Sequence, residues 1–199
     1  MSHTADGPRY YGKYRGMVIN NIDPENVGRL LVEIPDVLPL TSSWALPCMP
    51  VTGIQCGIYA VPPIGARVWV EFEQGDPDYP IWVGGYWGTM AEVPALAVVP
   101  PPLAPPGQNI LLQTLLQNTL LISDVVGPTG GFLLKTTLGA TIMVNDTTGI
   151  TIQDGKGAVI SMVGPAITIT GATINLVGSA AVNITAPVVT INQGALVVT

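Results

Sequence analysis

Two regimes of hydrophobic patterning divide the chain. In the first, YRGMVINNI and RLLVEIPDV carry apolar residues in near alternation on either side of DPENVG. Alternation of period two marks half-buried strands, and the segment between them has turn chemistry: Pro24 after Asp23 presets φ at about −65°, and Gly28 before Arg29 is free to take positive φ. A hairpin is predicted. The plan recurs after Gly65 in ARVWVEFEQGDPDYPIWVGGYWG, where Val68, Val70 and Phe72 alternate with Trp69, Glu71 and Glu73. The chain turns at Gly75, Asp76 and Pro77 and returns through Gly84. Roughly five short strands in about 85 residues fit a small closed barrel of the OB type better than an open sandwich.

The second regime is a repeat. Apolar pairs spaced two apart recur at Ile142/Val144, Ile150/Ile152, Ile160/Met162, Ile167/Ile169, Ile174/Leu176, Val182/Ile184, Val189/Ile191 and Leu196/Val198, at intervals of 8, 10, 7, 7, 8, 7 and 7 residues. Gly or Ala-Pro punctuates them. Such a period, with a strand of about four residues per repeat, predicts a β-solenoid or β-prism. One chain of these repeats is too thin to shield its own apolar pairs, and a charge-free tail with open strand edges would aggregate. Three intertwined chains solve both problems, with the pairs from Ile142 to Ile191 meeting on the axis and Thr and Asn residues walling the outside. Eight layers at about 4.8 Å give a shaft of roughly 40 Å. Its end, at Leu196, Val197, Val198 and Thr199, would present about nine apolar side chains and unpaired backbone groups, a face suited to a capping partner. Upstream, NILLQTLLQNTLLISDVV has leucine pairs at helix-like spacing. Strands are predicted for residues 119–126, and the pattern leaves 109–118 open.

Composition sharpens this division. The 199 residues are 48% apolar with a mean hydropathy of +0.47, so a large apolar surface needs covering. Of the twenty charged residues, fifteen lie in 1–100, five in 101–156 and none from Gly157 onward. Between the halves, residues 89–108 include six prolines from Pro94 to Pro106, the composition of an extended, semi-rigid linker. The expected organisation is therefore a barrel over 1–88, a linker over 89–108 and a trimeric β-helix over 109–199. A net charge of −6 with seven Lys+Arg excludes the basic footprint of a nucleic-acid binder. No apolar run is long enough to span a bilayer, and the N-terminus lacks the order of a signal peptide, so synthesis and retention in the cytoplasm until export are expected.

Candidate chemistry is sparse. Cys48, Cys56 and the single imidazole, His3, do not make a zinc set, and two buried or half-buried thiols are expected. Asp76 and Asp78 with Glu71 and Glu73 match no calcium loop or glycosidase pair and read as a solvated turn. Ser42 and Ser43 have no histidine in reach other than His3. Tyr79, Trp82, Tyr86 and Trp87 read as barrel packing or trimer contacts rather than a base-stacking surface, because no basic residues accompany them. No catalytic, metal-binding or cofactor-binding residue is expected, and no enzymatic activity.

The segment GMVINNIDPENVGRLLVEIP and the stretch from Trp44 to Gly88 resemble the OB-fold domain shared by phage baseplate assembly protein V and the VgrG spikes of type VI secretion. Asp23-Pro24, Gly28-Arg29, Pro63, Gly65, Val68, Phe72, Gly75-Asp76-Pro77, Pro80 and Gly84 fall in the family's order over residues 14–88. FLLKTTLGATIMVNDTTGITIQDGKGAVISM resembles the start of the family's triple-stranded β-helix. The resemblance implies a trimer of barrels seated on a hub ring, a β-helix pointing away from it and a PAAR-type cap at the tip. The chain departs from VgrG in starting at the barrel, which implies a separate hub protein. It departs from lysozyme-bearing spikes in having only a short linker, and from metal-tipped spikes in having no histidine in the tail. What it implies is a non-enzymatic central spike of a contractile injection system, puncturing a target envelope on sheath contraction. A carrier or docking module for an effector or toxin at the tip is the alternative.

Overall fold

The computed structural model describes residues 7–98, 109–187 and 189. The chain is all-β and forms two compact units that divide near residue 100.

The first unit holds eight strands: β1 (Tyr14–Asn20), β2 (Leu31–Ile34), β3 (Leu38–Thr41), β4 (Leu46–Pro47), β5 (Thr52–Gly53), β6 (Cys56–Gly57), β7 (Arg67–Phe72) and β8 (Pro80–Gly85). Six form one sheet in the order β3-β2-β1-β7-β8-β4, antiparallel except where β4 runs parallel to β8. An antiparallel bridge between Leu30 and Ala45 joins the β2 and β4 ends and closes the sheet on itself. Both hairpins expected from the alternation are present, β1 with β2 and β7 with β8. Val68, Val70 and Phe72 point inward with Val18, Leu30, Val32, Ile34, Ala45 and Trp82 to fill the core. Each such large side chain contributes about 1.5–3 kcal/mol by leaving water. The wall is tight at Gly16, where a Cβ would lie 2.5 Å from Cγ1 of Val32. Only glycine lets β1 pass the core there.

The barrel has more strands than the sequence pattern predicts. The additional ones, β3 to β6, are two to four residues long, too short for alternation to register. β5 and β6 form a separate two-stranded hairpin. The thiols also differ from expectation: Cys48 and Cys56 are free and exposed, because one follows the edge strand β4 and the other lies in that small hairpin. Residues 89–98 are not uniformly extended, since 3-10 turns occur at Met90–Glu92 and Ala95–Ala97. The rest of the proline-rich segment lies outside the described residues.

The second unit is a seven-stranded antiparallel meander in chain order. Its strands are β9 (Asn109–Gln113), β10 (Thr119–Ser123), β11 (Gly131–Lys135), β12 (Thr141–Asn145), β13 (Gly149–Gln153), β14 (Val159–Val163) and β15 (Ala166–Thr170). β10 falls where a strand is predicted, and the open segment 109–118 resolves into β9 and a turn closed by Gln117 N–H donating to the Thr114 carbonyl. The repeat does not continue as strands throughout. Ile174, Leu176, Val182, Ile184 and Val189 lie in described residues that carry no strand. A single chain offers these repeats no strand from another copy to pair with, and strand pairs without a covered apolar face are marginal in water. Ile191, Leu196, Val197, Val198 and Thr199 lie outside the described residues.

Candidate trimerisation face

The turn residues singled out in the barrel form separate locks around its rim. Asp23 is the hub of one. Its Oδ1 accepts from the Glu25 N–H (3.0 Å) and from Nε (2.9 Å) and Nη2 (2.7 Å) of Arg29. Its Oδ2 accepts from the N–H groups of Val27 (2.9 Å) and Arg29 (3.1 Å). The Arg29 guanidinium and then these backbone donors hold the carboxyl far below the usual carboxylate range, against an upward push from burial. Pro24 opens the turn that the Asn26 N–H closes on the Asp23 carbonyl. Gly28, at φ +86°, offers its carbonyl to the indole N–H of buried Trp82 at 3.0 Å. Arg29 also pairs with Glu25 at 3.1 Å and lies 5.5 Å from the centre of the Trp44 ring.

At the opposite hairpin, the Gly75 carbonyl accepts from the Tyr10 N–H, and the Tyr79 N–H closes a turn through Pro77 onto the Asp76 carbonyl. The two Asp76 carboxyl oxygens take the Asp78 N–H and the Arg9 guanidinium, both at 3.1 Å. The Gly65 N–H bonds to the Val18 carbonyl, and Gly84 sits where the β7–β8 register shifts. These residues brace turns; they do not converge on one site. Nor do the four aromatics: Trp82 is in the core, Tyr86 packs on Trp69 with ring centres 4.7 Å apart, and Tyr79 and Trp87 are exposed. An open groove is lined by Pro62, Pro63, Ile64, Tyr86 and Trp87. Its charged groups, Arg67 and Glu92, pair with each other at 3.5 Å.

The second unit concentrates its chemistry on one face. In every strand from β9 to β15 the second and fourth of five residues are apolar. Register stacks these positions, because residues paired across strands share a face. One row runs Leu112, Leu120, Leu134, Ile142, Ile152, Ile160, Ile169, and the other Ile110, Ile122, Phe132, Val144, Ile150, Met162, Ile167. Fourteen large apolar side chains thus form an unbroken, uncharged double ladder.

Burial on this sheet is inverted for a single chain. Ladder residues such as Ile110 (67%) are exposed, while Thr119, Leu121 (5%), Ser123 and Asn145 on the opposite face are buried. Asn145 is fully bonded there: its amide donates to the Gly127 and Gly130 carbonyls, and its Oδ1 accepts from the Thr147 and Thr148 N–H groups. The opposite face is thus partly covered by its own turns, while most of the ladder face is open to solvent. A contiguous apolar surface of this extent marks a protein interface.

The eight expected axis residues from Ile142 to Ile169 all lie on the ladder. Sequence reasoning missed the six upstream, Ile110, Leu112, Leu120, Ile122, Phe132 and Leu134, because Leu111, Leu121 and Leu133 fill the intervening positions and hide the alternation. The five-residue module with polar or small ends, as in NILLQ, TLLIS and GFLLK, is the signal that identifies them.

Comparison with known protein families agrees with this division. Residues 14–87 match the type VI secretion system/phage-baseplate injector OB domain, and residues 109–175 match the phage baseplate V C-terminal trimerisation domain. A search of curated proteins finds no match to the chain. The trimerisation match begins at β9 and covers both ladder rows in full. With a closed barrel followed by an unfinished apolar sheet, and with both domains matched in that order, the chain belongs to the phage baseplate V family, as a spike-like structural component of an injector baseplate.

Proposed function

We propose that three copies join through the double ladder to form the central spike of a contractile injection system, whose work is mechanical and needs no catalytic group of its own. The barrels seat on a separate hub protein, and the charge-free tail continues as an intertwined β-helix that reaches the target envelope when the sheath contracts. A small PAAR-type protein caps the tail at Leu196 to Thr199. The observation that carries this reading is the fourteen-residue ladder, twelve of whose side chains are exposed, which three chains can turn inward around one axis. The absence of charge from residue 157 onward supports it, since a shaft crossing lipid avoids the cost of desolvating ions. Particles assembled with a chain ending before Gly157 should contract normally yet fail to deliver, as scored by killing or dye release. Undiminished delivery by such particles would overturn the mechanical role of the tail.

A further inference from the structure

The barrel carries a second unfinished surface. Residues 37–66 contain no Asp, Glu, Lys or Arg, whereas all the charged residues described in the first unit lie on either side of that stretch. Six large apolar side chains in it are exposed: Leu46, Val51, Ile54, Ile58, Tyr59 and Ile64. Ile54 is the extreme, with 97% of its surface in water at the tip of the β5–β6 hairpin. The hairpin is built to hold it there. Thr52 pairs with Gly57 and Gly53 with Cys56, Gln55 takes φ +58° at the tip, and the Ile58 N–H donates to the Val51 carbonyl at 3.0 Å. At Gly57 a Cβ would lie 2.6 Å from that same carbonyl oxygen, so the close return of the chain depends on glycine. The base of the loop is anchored as well: the Cys48 N–H bonds to the Trp82 carbonyl, and Tyr59 reaches the Asp23–Arg29 lock beside Gly28.

We propose that this uncharged loop, led by Ile54, is the surface through which the barrels of one trimer contact each other, so that the trimer is held at the barrel as well as at the sheet. The proposal rests on the chain being a trimer. A second copy is the occupant because permanent interfaces between identical subunits are the apolar, charge-depleted ones, whereas partners that meet and part leave a surface composed like the rest of the protein. The trimerisation domain also holds two other barrels at high effective concentration, so a weak apolar contact suffices to keep them together. Each barrel would give its hairpin to one neighbour and receive one from the other, a heterologous contact that closes in a ring of three.

The full-length chain with a benzophenone amino acid in place of Ile54 tests this. Irradiation of the purified protein should give covalent dimers and trimers whose links map to residues 7–98 of another copy, while light scattering reports three chains per particle. A trimer by mass with no inter-chain link overturns the proposal and leaves the trimer reading intact. A link formed only in assembled particles, to a different protein, also overturns it by assigning the loop to that partner. A monomer by mass overturns both readings. As a second measurement, Ile54→Asp should speed amide exchange over residues 50–60 by about tenfold at unchanged trimer mass. Unchanged exchange in that variant would count equally against the contact.

Discussion

Asp23 shows how much of the barrel's definition rests on single groups. Its five accepted hydrogen bonds tie the β1–β2 connection together, and through Gly28 and Trp82 that connection is bonded to the core. Because the folded-state pKa lies below the unfolded one, the stabilisation is present above the ordinary carboxylate range and is lost as pH falls through it toward the folded value. Asp23→Asn should therefore lower the barrel's melting temperature at pH 7, with the gap to the parent protein closing below about pH 4. A gap that stays constant down to acid pH would mean that the charge contributes nothing. Trp82→Phe keeps the ring in the core but leaves the Gly28 carbonyl without its indole donor, a loss of about 1–3 kcal/mol in denaturant unfolding of the barrel. Both locks were legible as turn chemistry, since Asp, Pro and Gly announce themselves. The bond between the Gly28 carbonyl and Trp82, 54 residues away, was not, because no local pattern encodes which distant donor a turn carbonyl will meet.

Legibility among the strands tracks the contrast between their two faces. β1 and β7 alternate apolar with polar and β8 follows a turn rich in Gly, Asp and Pro, so all three were readable; β12 to β15 announce themselves through apolar pairs led by isoleucine. β9 and β11 have apolar residues on both faces, and β3 to β6 are too short to have a period. The same contrast predicts how the sheet responds to charge. Ile142 and Thr151 lie on adjacent strands β12 and β13 but face opposite sides, since Ile142 pairs with Ile152 and Thr151 with Met143. Ile142→Asp would bring three carboxylates toward one dry axis, where removing a charge from water costs several kcal/mol per ion. It should abolish the trimer in sedimentation or light scattering. Thr151→Asp, on the face opposite the ladder, should leave the trimer mass unchanged. Equal loss in both variants would refute the assignment of the ladder as the interface.

For the whole molecule, charge is partitioned as sharply as fold. All five ion pairs found among the described residues lie between Arg9 and Glu92, in the first unit, and the ladder face of the second carries no charge. The two units should consequently respond differently to salt. At 0.15 M ionic strength exposed pairs are already screened beyond about 8 Å, so surface pairs such as Lys13–Glu71 contribute less as salt rises, while an apolar interface is not weakened by screening at all. Excluded salts such as sulfate act in the opposite sense and strengthen apolar burial. The particle should therefore hold a mass of three times 20.8 kDa, about 62 kDa, from low salt to 1 M NaCl, and its dissociation temperature should rise in sulfate. Dissociation promoted by NaCl would show that ion pairs rather than the ladder hold the chains together, and would remove the physical basis for a charge-free shaft.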